Sequence, residues 1–363
     1  MSRIPSVMSA AVVREPGEID IKNVHIPILD AFEVLVQVVA IAQNPTDWKH
    51  VDYFTKPNTI LGCDFSGIVV ETGALVNDSM IKIGDHVSGF VQGGHWEGRG
   101  AFAEYLKTDW DLVWVVPPNT LSHEEAATMN IALWTAIQAL YHPRRLALDM
   151  PPLAATLESE EWVFIYGGST SVGQYAIQLA KLSGYKVATA ASTHNHGLLK
   201  SLGADVVFDY KHSDVVNEIL HATNNSIHHA LDTYSAGGSQ LFTVTTLGPG
   251  PGSVVCILPV DETAKDHRSD IQIMDTVIYT ALGREFRLGG LDFSASMEDR
   301  AEMVAFLPKL TQLIRDGKLR PNRIKLWNGG LDAIQEGLDY MRQGKLSGEK
   351  IVYRICESST VDG

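Results

Sequence analysis

The chain is poor in positive charge, in cysteine and in long apolar runs. Its 29 lysines and arginines face 43 aspartates and glutamates, a formal net charge of −14. That balance argues against a general nucleic-acid surface or an anionic-membrane surface. Three cysteines occur in 363 residues, Cys63, Cys256 and Cys356, far apart and without metal-binding spacing. Paired disulfides would leave one over, so reduced thiols in a cytoplasmic setting are expected. No stretch reaches the roughly 18 apolar residues of a membrane span. The opening MSRIPSVMSAAVVREPGE lacks the apolar core of a signal peptide. No internal repeat or low-complexity segment is present. What remains, 45 % hydrophobic and 20 % charged, is the composition of a soluble globular enzyme. The length exceeds what one simple core holds and suggests two domains.

The stretch from Glu161 to Asn195 organises the rest. Trp162 to Tyr166 are bulky and uncharged, the mark of a strand buried on both faces. The turn Gly167-Gly168-Ser169-Thr170-Ser171-Val172-Gly173 follows at once. Apolar or small residues then recur at helical spacing until Gly184, and Tyr185 to Ala191 return as a second buried strand. Such a βαβ unit places a pyrophosphate on a helix N-terminus. Against G-x-G-x-x-G the aligned positions are Gly168, Thr170 and Gly173, so the middle glycine is missing. Taken alone, the turn fits either a nucleotide site or a tight connection without ligand. The end of the second strand, Ser192-Thr193-His194-Asn195, bears no acid where an NAD site carries one for the ribose 2′-hydroxyl. Hydroxyl and amide donors there suit a 2′-phosphate, with Lys200, Tyr210 and Lys211 following, so NADPH is the expected cofactor.

Upstream, Met8 to Leu106 reads as short strands between Gly, Pro, Asn and Asp breaks. Gln43 to Asp47 reads as a loop, with Lys49 beyond its Pro-containing turn. Ser122 to Leu140 reads as one helix, opened by a Ser122/Glu125 capping box. The proline-bearing 141–160 reads as a loop or insertion. Strands near Val206–Phe208, Ile227–Leu231 and Ser253–Leu258 extend the nucleotide unit over 161–288. The tail, 289–363, carries helices over Glu298–Asp316 and Gly330–Gln343 and a strand over Lys350–Ile355.

This organisation resembles the medium-chain dehydrogenase/reductase superfamily over nearly the whole chain. Its local marks are Asn44-Pro45-Thr46-Asp47, Gly84-Asp85-His86-Val87, Gly100 to Tyr105, Leu133-Trp134-Thr135-Ala136 and Gly344 to Tyr353. The resemblance implies an α/β fold: a Rossmann doubly wound parallel sheet plus a GroES-like β-rich catalytic domain, formed by 1–140 and completed by the tail. Zinc members carry Gly-His-Glu where this chain has Gly62-Cys63-Asp64, and both the first ligand and the four-cysteine lobe are missing. No metal is therefore expected; zinc requires three well-spaced protein ligands. Reduction of a carbon–carbon double bond conjugated to a carbonyl needs only a hydride at the β-carbon, donors for the enolate and a proton at the α-carbon.

Within the zinc-independent, quinone-reductase-like branch, the chain is similar to the lovastatin-type, trans-acting enoyl reductases of fungal polyketide synthases. Asn44 to Lys49, Tyr166 to Thr170, Leu182 to Tyr185, Phe208-Asp209-Tyr210 and Gly344 to Lys350 carry that similarity. It implies an enoyl thioester substrate on the acyl carrier protein of a polyketide synthase or polyketide synthase–peptide synthetase, and a monomer. It also implies roles. Lys49 and Thr135 would contact the nicotinamide ribose side; Asn44, Gly168, Ser169, Thr170, Ser171, Val172 and Gly173 would bind the cofactor backbone; Ser192, Asn195 and Tyr210 would hold the 2′-phosphate. Tyr53, Asp47 and solvent are open as proton donors, and Gly283 is either an approach point or a plain turn. Five cations between Arg315 and Lys325 offer either a carrier dock or a solvated helix end. A free-standing quinone or alkenal reductase and a non-catalytic NADPH-binding protein are the competing functions.

Overall fold

Short strands joined by tight turns build the first third of the chain, where apolar and polar residues alternate between breakers. The computed structural model describes residues 4–54, 56–153 and 159–356. Strands β1 (Val7–Glu15) and β2 (Glu18–His25) pair antiparallel. Strand β3 (Glu33–Ala42) leads into helix α1 (Pro45–Tyr53), followed by β4 (Asp64–Thr72), β5 (His86–Phe90), β6 (Tyr105–Asp109), β7 (Val113–Val115) and helix α2 (His123–Ala127). The expected loop after β3 is thus a helix. Asn44 and Asp47 form a reciprocal capping box and Pro45 occupies the first helical position, where its missing N–H is not needed.

The helix expected over Ser122–Leu140 is two. The Ser122/Glu125 capping box opens α2 as anticipated, but α2 ends at Ala127 and α3 (Ile131–Tyr141) begins after a break. Asn130 causes the break: its amide donates to the carbonyls of Ala127 (3.2 Å) and Phe65 (3.1 Å) and to the Ser88 hydroxyl (2.9 Å). Asp64 then accepts from the Ile131 N–H at 2.9 Å, at the start of α3. His142 to Leu153 form neither helix nor strand, and 154–158 of the expected insertion lie outside the described residues.

A second unit follows. It comprises β8 (Trp162–Tyr166), α4 (Ser171–Leu182), β9 (Lys186–Ala190), α5 (His196–Ser201), β10 (Val206–Phe208), α6 (Val215–Ala222), β11 (Ile227–Asp232), α7 (Ser239–Thr245), β12 (Gly252–Cys256), α8 (Glu262–His267) and β13 (Ile271–Asp275). Its six strands are parallel in the order β10-β9-β8-β11-β12-β13. This is the doubly wound arrangement, with its order reversing beside β8, where ligands bind at the strands' carboxyl ends.

The chain closes with β14 (Phe286–Leu288), β15 (Leu291–Phe293), α9 (Met297–Arg315), β16 (Arg323–Leu326), α10 (Ile334–Arg342) and β17 (Glu349–Arg354). A 3-10 turn over Gly330–Ala333 precedes α10. Strand β17 pairs with β3, so the tail joins the first third in a seven-stranded sheet, β16-β17-β3-β4-β5-β7 with β6 on β3. The compact units are therefore Met1–Ile131 with Tyr279–Gly363, and Ala132–Ile278. Val36, Phe65, Phe102 and Tyr353 are among the core of the first, and Phe164, Ile219 and Val254 of the second. Among the described residues no helix is long and apolar enough to cross a membrane.

Candidate functional site

The glycine-rich turn joins β8 to α4. Gly167 adopts φ +74°, a conformation that side chains disfavour. A Cβ on Gly173 would lie 2.8 Å from the Gly168 Cα, so this glycine permits close strand–helix packing. Thr170, where the fingerprint's middle glycine is replaced, holds the turn in shape. Its hydroxyl accepts from the Gly173 N–H (2.9 Å) and donates to Thr233 (2.8 Å). It is the N-cap of a 12-residue helix. The amides of Ser169, Ser171 and Val172 have no partner among the described residues. Free amides at a helix N-terminus beside a glycine turn fit a dinucleotide pyrophosphate.

At the end of β9, Ser192 lies beside Tyr210, their hydroxyls 3.5 Å apart, while Asn195 is 6 % exposed. Asp209, which accepts from Thr193 at 2.6 Å, is an acid that linear reading did not place at this rim. Thr135 lies in α3 at 7 % exposure.

In the first unit, α1 presents a polar cluster. Lys49 is half-buried, which lowers its pKa, and its ammonium lies over the Trp48 ring. One turn back, the Thr46 hydroxyl is 2.8 Å from the Tyr279 hydroxyl and 3.3 Å from His50 Nε2. His50 Nδ1 is 3.0 Å from the Gly93 carbonyl, and burial pushes its pKa down to about 4. Cys63 Sγ lies 3.5 Å from the Tyr279 hydroxyl. Burial raises both of these groups well above their usual range. Asp47 Oδ2 accepts from the Asn44 N–H at 2.6 Å, while Oδ1 has no hydrogen-bond partner. Burial, with Asp64 adding to it, pushes the Asp47 carboxyl up to about 7. Asn44 accepts from the Lys350 ammonium at 2.8 Å, and its amide donates to the Ala42 carbonyl. Lys350 also donates to Asp64 at 2.7 Å.

Tyr53, weighed as a proton donor, is 68 % exposed. Gly283 has φ +65°, a conformation that favours glycine, and a Cβ there would lie 2.7 Å from Arg300 Cδ. Of the five cations, Lys318 pairs with Asp316 (3.8 Å) and Lys325 lies over the Tyr340 ring; Lys318, Arg320 and Arg323 are exposed. Tyr279 and His50 escaped sequence reasoning. Tyr279 is 233 residues from Thr46, and no periodicity encodes such a contact.

A parallel sheet with a glycine-turn nucleotide cradle, in one chain with a β-rich unit completed by the tail, defines a nicotinamide-dependent dehydrogenase/reductase architecture. Residues 30–118 match the alcohol dehydrogenase GroES-like domain, and residues 171–282 match the zinc-binding dehydrogenase family. A trans-enoyl reductase of Alternaria alternata is 35 % identical over 350 residues, 95 % of this chain and 98 % of that protein. A trans-enoyl reductase of Aspergillus sclerotiorum is 34 % identical, covering 96 % of this chain and 100 % of that one. The quinone oxidoreductase of Coxiella burnetii shares the fold with a TM-score of 0.71 at 24 % identity, over 96 % of this chain and 100 % of that chain. The chain belongs to the medium-chain dehydrogenase/reductase superfamily, together with these fungal trans-enoyl reductases. The zinc in one family's name does not fit the donor set here. Asp64 is neutralised by the buried Lys350 ammonium, and Cys63 faces a tyrosine hydroxyl. Among the described residues no group of three or more His, Cys, Asp or Glu side chains is placed to hold a metal ion.

Proposed function

We propose that the protein is an NADPH-dependent enoyl reductase that acts in trans on a polyketide thioester held by a partner synthase's acyl carrier protein. The observation that carries this reading is the near-full-length similarity to trans-enoyl reductases. The cradle at Gly168, Gly173 and the Ser169, Ser171 and Val172 amides, shaped by Thr170, holds the pyrophosphate. Ser192, Asn195 and Tyr210 receive the 2′-phosphate. Lys49 and Thr135 serve the nicotinamide side, with Asn44 fixing the first turn of the helix that carries Lys49. Bound NADPH supplies a hydride for the substrate β-carbon. The Lys49 ammonium, partly desolvated, is suited to stabilise negative charge gathering on the thioester oxygen, because donors act most strongly where water is excluded.

The test is NADPH consumption with a crotonyl or longer enoyl pantetheine thioester in parallel with a small quinone. Turnover of the thioester with NADPH, and little with NADH or the quinone, is expected. Preference for the quinone would overturn the assignment in favour of a free-standing quinone reductase. Tight NADPH binding with neither activity would leave a non-catalytic binding protein.

A further inference from the structure

We propose that Trp48 is a positioning residue that holds the Lys49 ammonium for the enolate, with Arg342 fixing the Trp48 ring; this rests on the enoyl-reductase reading above. A contrast between two cations on one aromatic ring carries it. The Lys49 ammonium lies 5.8 Å from the centroid of the Trp48 ring, and the Arg342 guanidinium lies 5.9 Å from it. Arg342 is neutralised. Its Nε and one Nη donate to the two Asp52 oxygens at 2.9 and 2.8 Å, and its other Nη donates to Asp339. Lys49, half-buried, makes neither a hydrogen bond nor an ion pair through its side chain among the described residues.

The difference matters for chemistry. A carboxylate partner would cancel the charge of an ammonium and occupy its N–H donors. An aromatic face attracts the cation through its quadrupole and leaves the net charge in place. The Lys49 charge is therefore oriented without being neutralised, as suits a group that meets a developing oxyanion.

Trp48 is itself held in place. Its ring packs against the core of the first unit and meets Tyr53 edge-on at 6.3 Å. Asp52 lies one helical turn beyond Trp48 on α1, so the fork it accepts from α10 brings the guanidinium over the ring. A forked guanidinium has a single orientation, unlike a lone ammonium, and it fixes whatever it stacks on. Arg342 thus sets the ring, and the ring sets Lys49. In this arrangement Trp48 acts only through Lys49, so its effect must vanish when Lys49 carries no charge.

The experiment is a double-mutant cycle on turnover of an enoyl pantetheine thioester with NADPH, with kcat and KM read separately. Lys49→Met is expected to lower kcat about 100-fold, the scale of one lost oxyanion donor. Trp48→Leu is expected to lower kcat about tenfold and to leave KM for the thioester within about twofold. Trp48→Phe keeps an aromatic face and is expected to recover most of that loss. On the Lys49→Met background, Trp48→Leu is expected to cost less than about twofold more. Losses that multiply would show a merely structural role and overturn the positioning, leaving the enoyl-reductase assignment intact. Equal losses in Trp48→Phe and Trp48→Leu would overturn it in the same way. Full activity of Lys49→Met would remove Lys49 from the reaction and the proposal with it. Absence of wild-type thioester turnover would overturn the enoyl-reductase assignment as well. Should Trp48→Leu fail to fold, Arg342→Lys, which keeps the charge but loses the fork, takes its place in the cycle, with an expected loss of about threefold.

Discussion

The Lys350 ammonium lies 2.7 Å from the Asp64 carboxylate, with their side chains 1 % and 0 % exposed. Lys350 sits on β17 and Asp64 opens β4, so the pair locks the returning tail to the first third of the chain. Their remaining bonds go to Asn44 and to the Ile131 N–H, which ties the starts of α1 and α3 to the same charge pair.

Removing one partner should cost far more than removing both. Lys350→Met leaves a buried, unpaired carboxylate, and a loss of about 3–5 kcal/mol is expected. Adding Asp64→Asn keeps an acceptor for Ile131 and removes the stranded charge, so the double variant should recover at least half of that loss. Urea-unfolding midpoints measure both. Equal instability of single and double variants would show that packing, not charge, is what Lys350 provides.

Acid should loosen the first unit through His86 and His123. Their ring centroids are 3.7 Å apart, and both rings meet the Ser66 hydroxyl, at 2.8 and 3.0 Å. Burial, then the charge of His123, pushes the His86 pKa down to about 3. Burial also lowers His123. The folded state therefore binds fewer protons than the unfolded chain below about pH 6.5. The stability contribution is complete above that pH and is lost as pH falls towards 3. Between pH 7.5 and pH 5 the His86 share is on the order of 1–2 kcal/mol. His50 adds a loss of the same sign, so the measurement is the difference between wild type and His86→Gln. If both lose equal stability over that range, the histidine pair is not responsible.

The fold was legible wherever its determinants are local. Trp162 to Ala191 declares a βαβ unit because the apolar runs, the glycine turn and the helical period all fall within one short stretch, and the parallel sheet matches that expectation. The Ser122/Glu125 capping box also stood in sequence as it stands in the structure. The end of α2 did not, because Asn130 breaks it by bonding to Phe65 and Ser88, which belong to other strands. Helix α1 was hidden by Pro45, which resembles a turn signal yet suits a helix start equally well. The site divides along the same line. Ser192 and Tyr210 follow successive parallel strands, so their proximity was foreseeable. Thr46–Tyr279 and Asp64–Lys350 span 233 and 286 residues, and only the return of the tail brings them together.

Cofactor preference should turn on Ser192. Placing a carboxylate there, Ser192→Glu, would repel a 2′-phosphate and offer an acceptor to a 2′-hydroxyl. A charge-assisted hydrogen bond is worth about 1.5–3 kcal/mol, so the dissociation constant for NADPH should rise roughly 10–150-fold, while that for NADH holds or improves. Fluorescence titration with each nucleotide measures the two. An unchanged NADPH constant would place the 2′-phosphate elsewhere and would call the role of Tyr210 into question with it.

Carrier recognition should respond to Arg320 and Arg323. The chain carries a net charge of −14, so an acidic carrier requires a local cationic patch, and these two arginines are exposed beside the start of β16. Long-range attraction of this kind governs encounter more than final affinity and is screened within about 8–10 Å at ordinary salt. Reversing both, as Arg320→Glu with Arg323→Glu, should therefore lower kcat/KM for a carrier-linked enoyl thioester by about tenfold at low salt, and by less at high salt. The same double variant should turn over the free pantetheine thioester at the wild-type rate, because a small substrate needs no dock. If both substrates slow together, or neither does, the docking role of this segment is wrong.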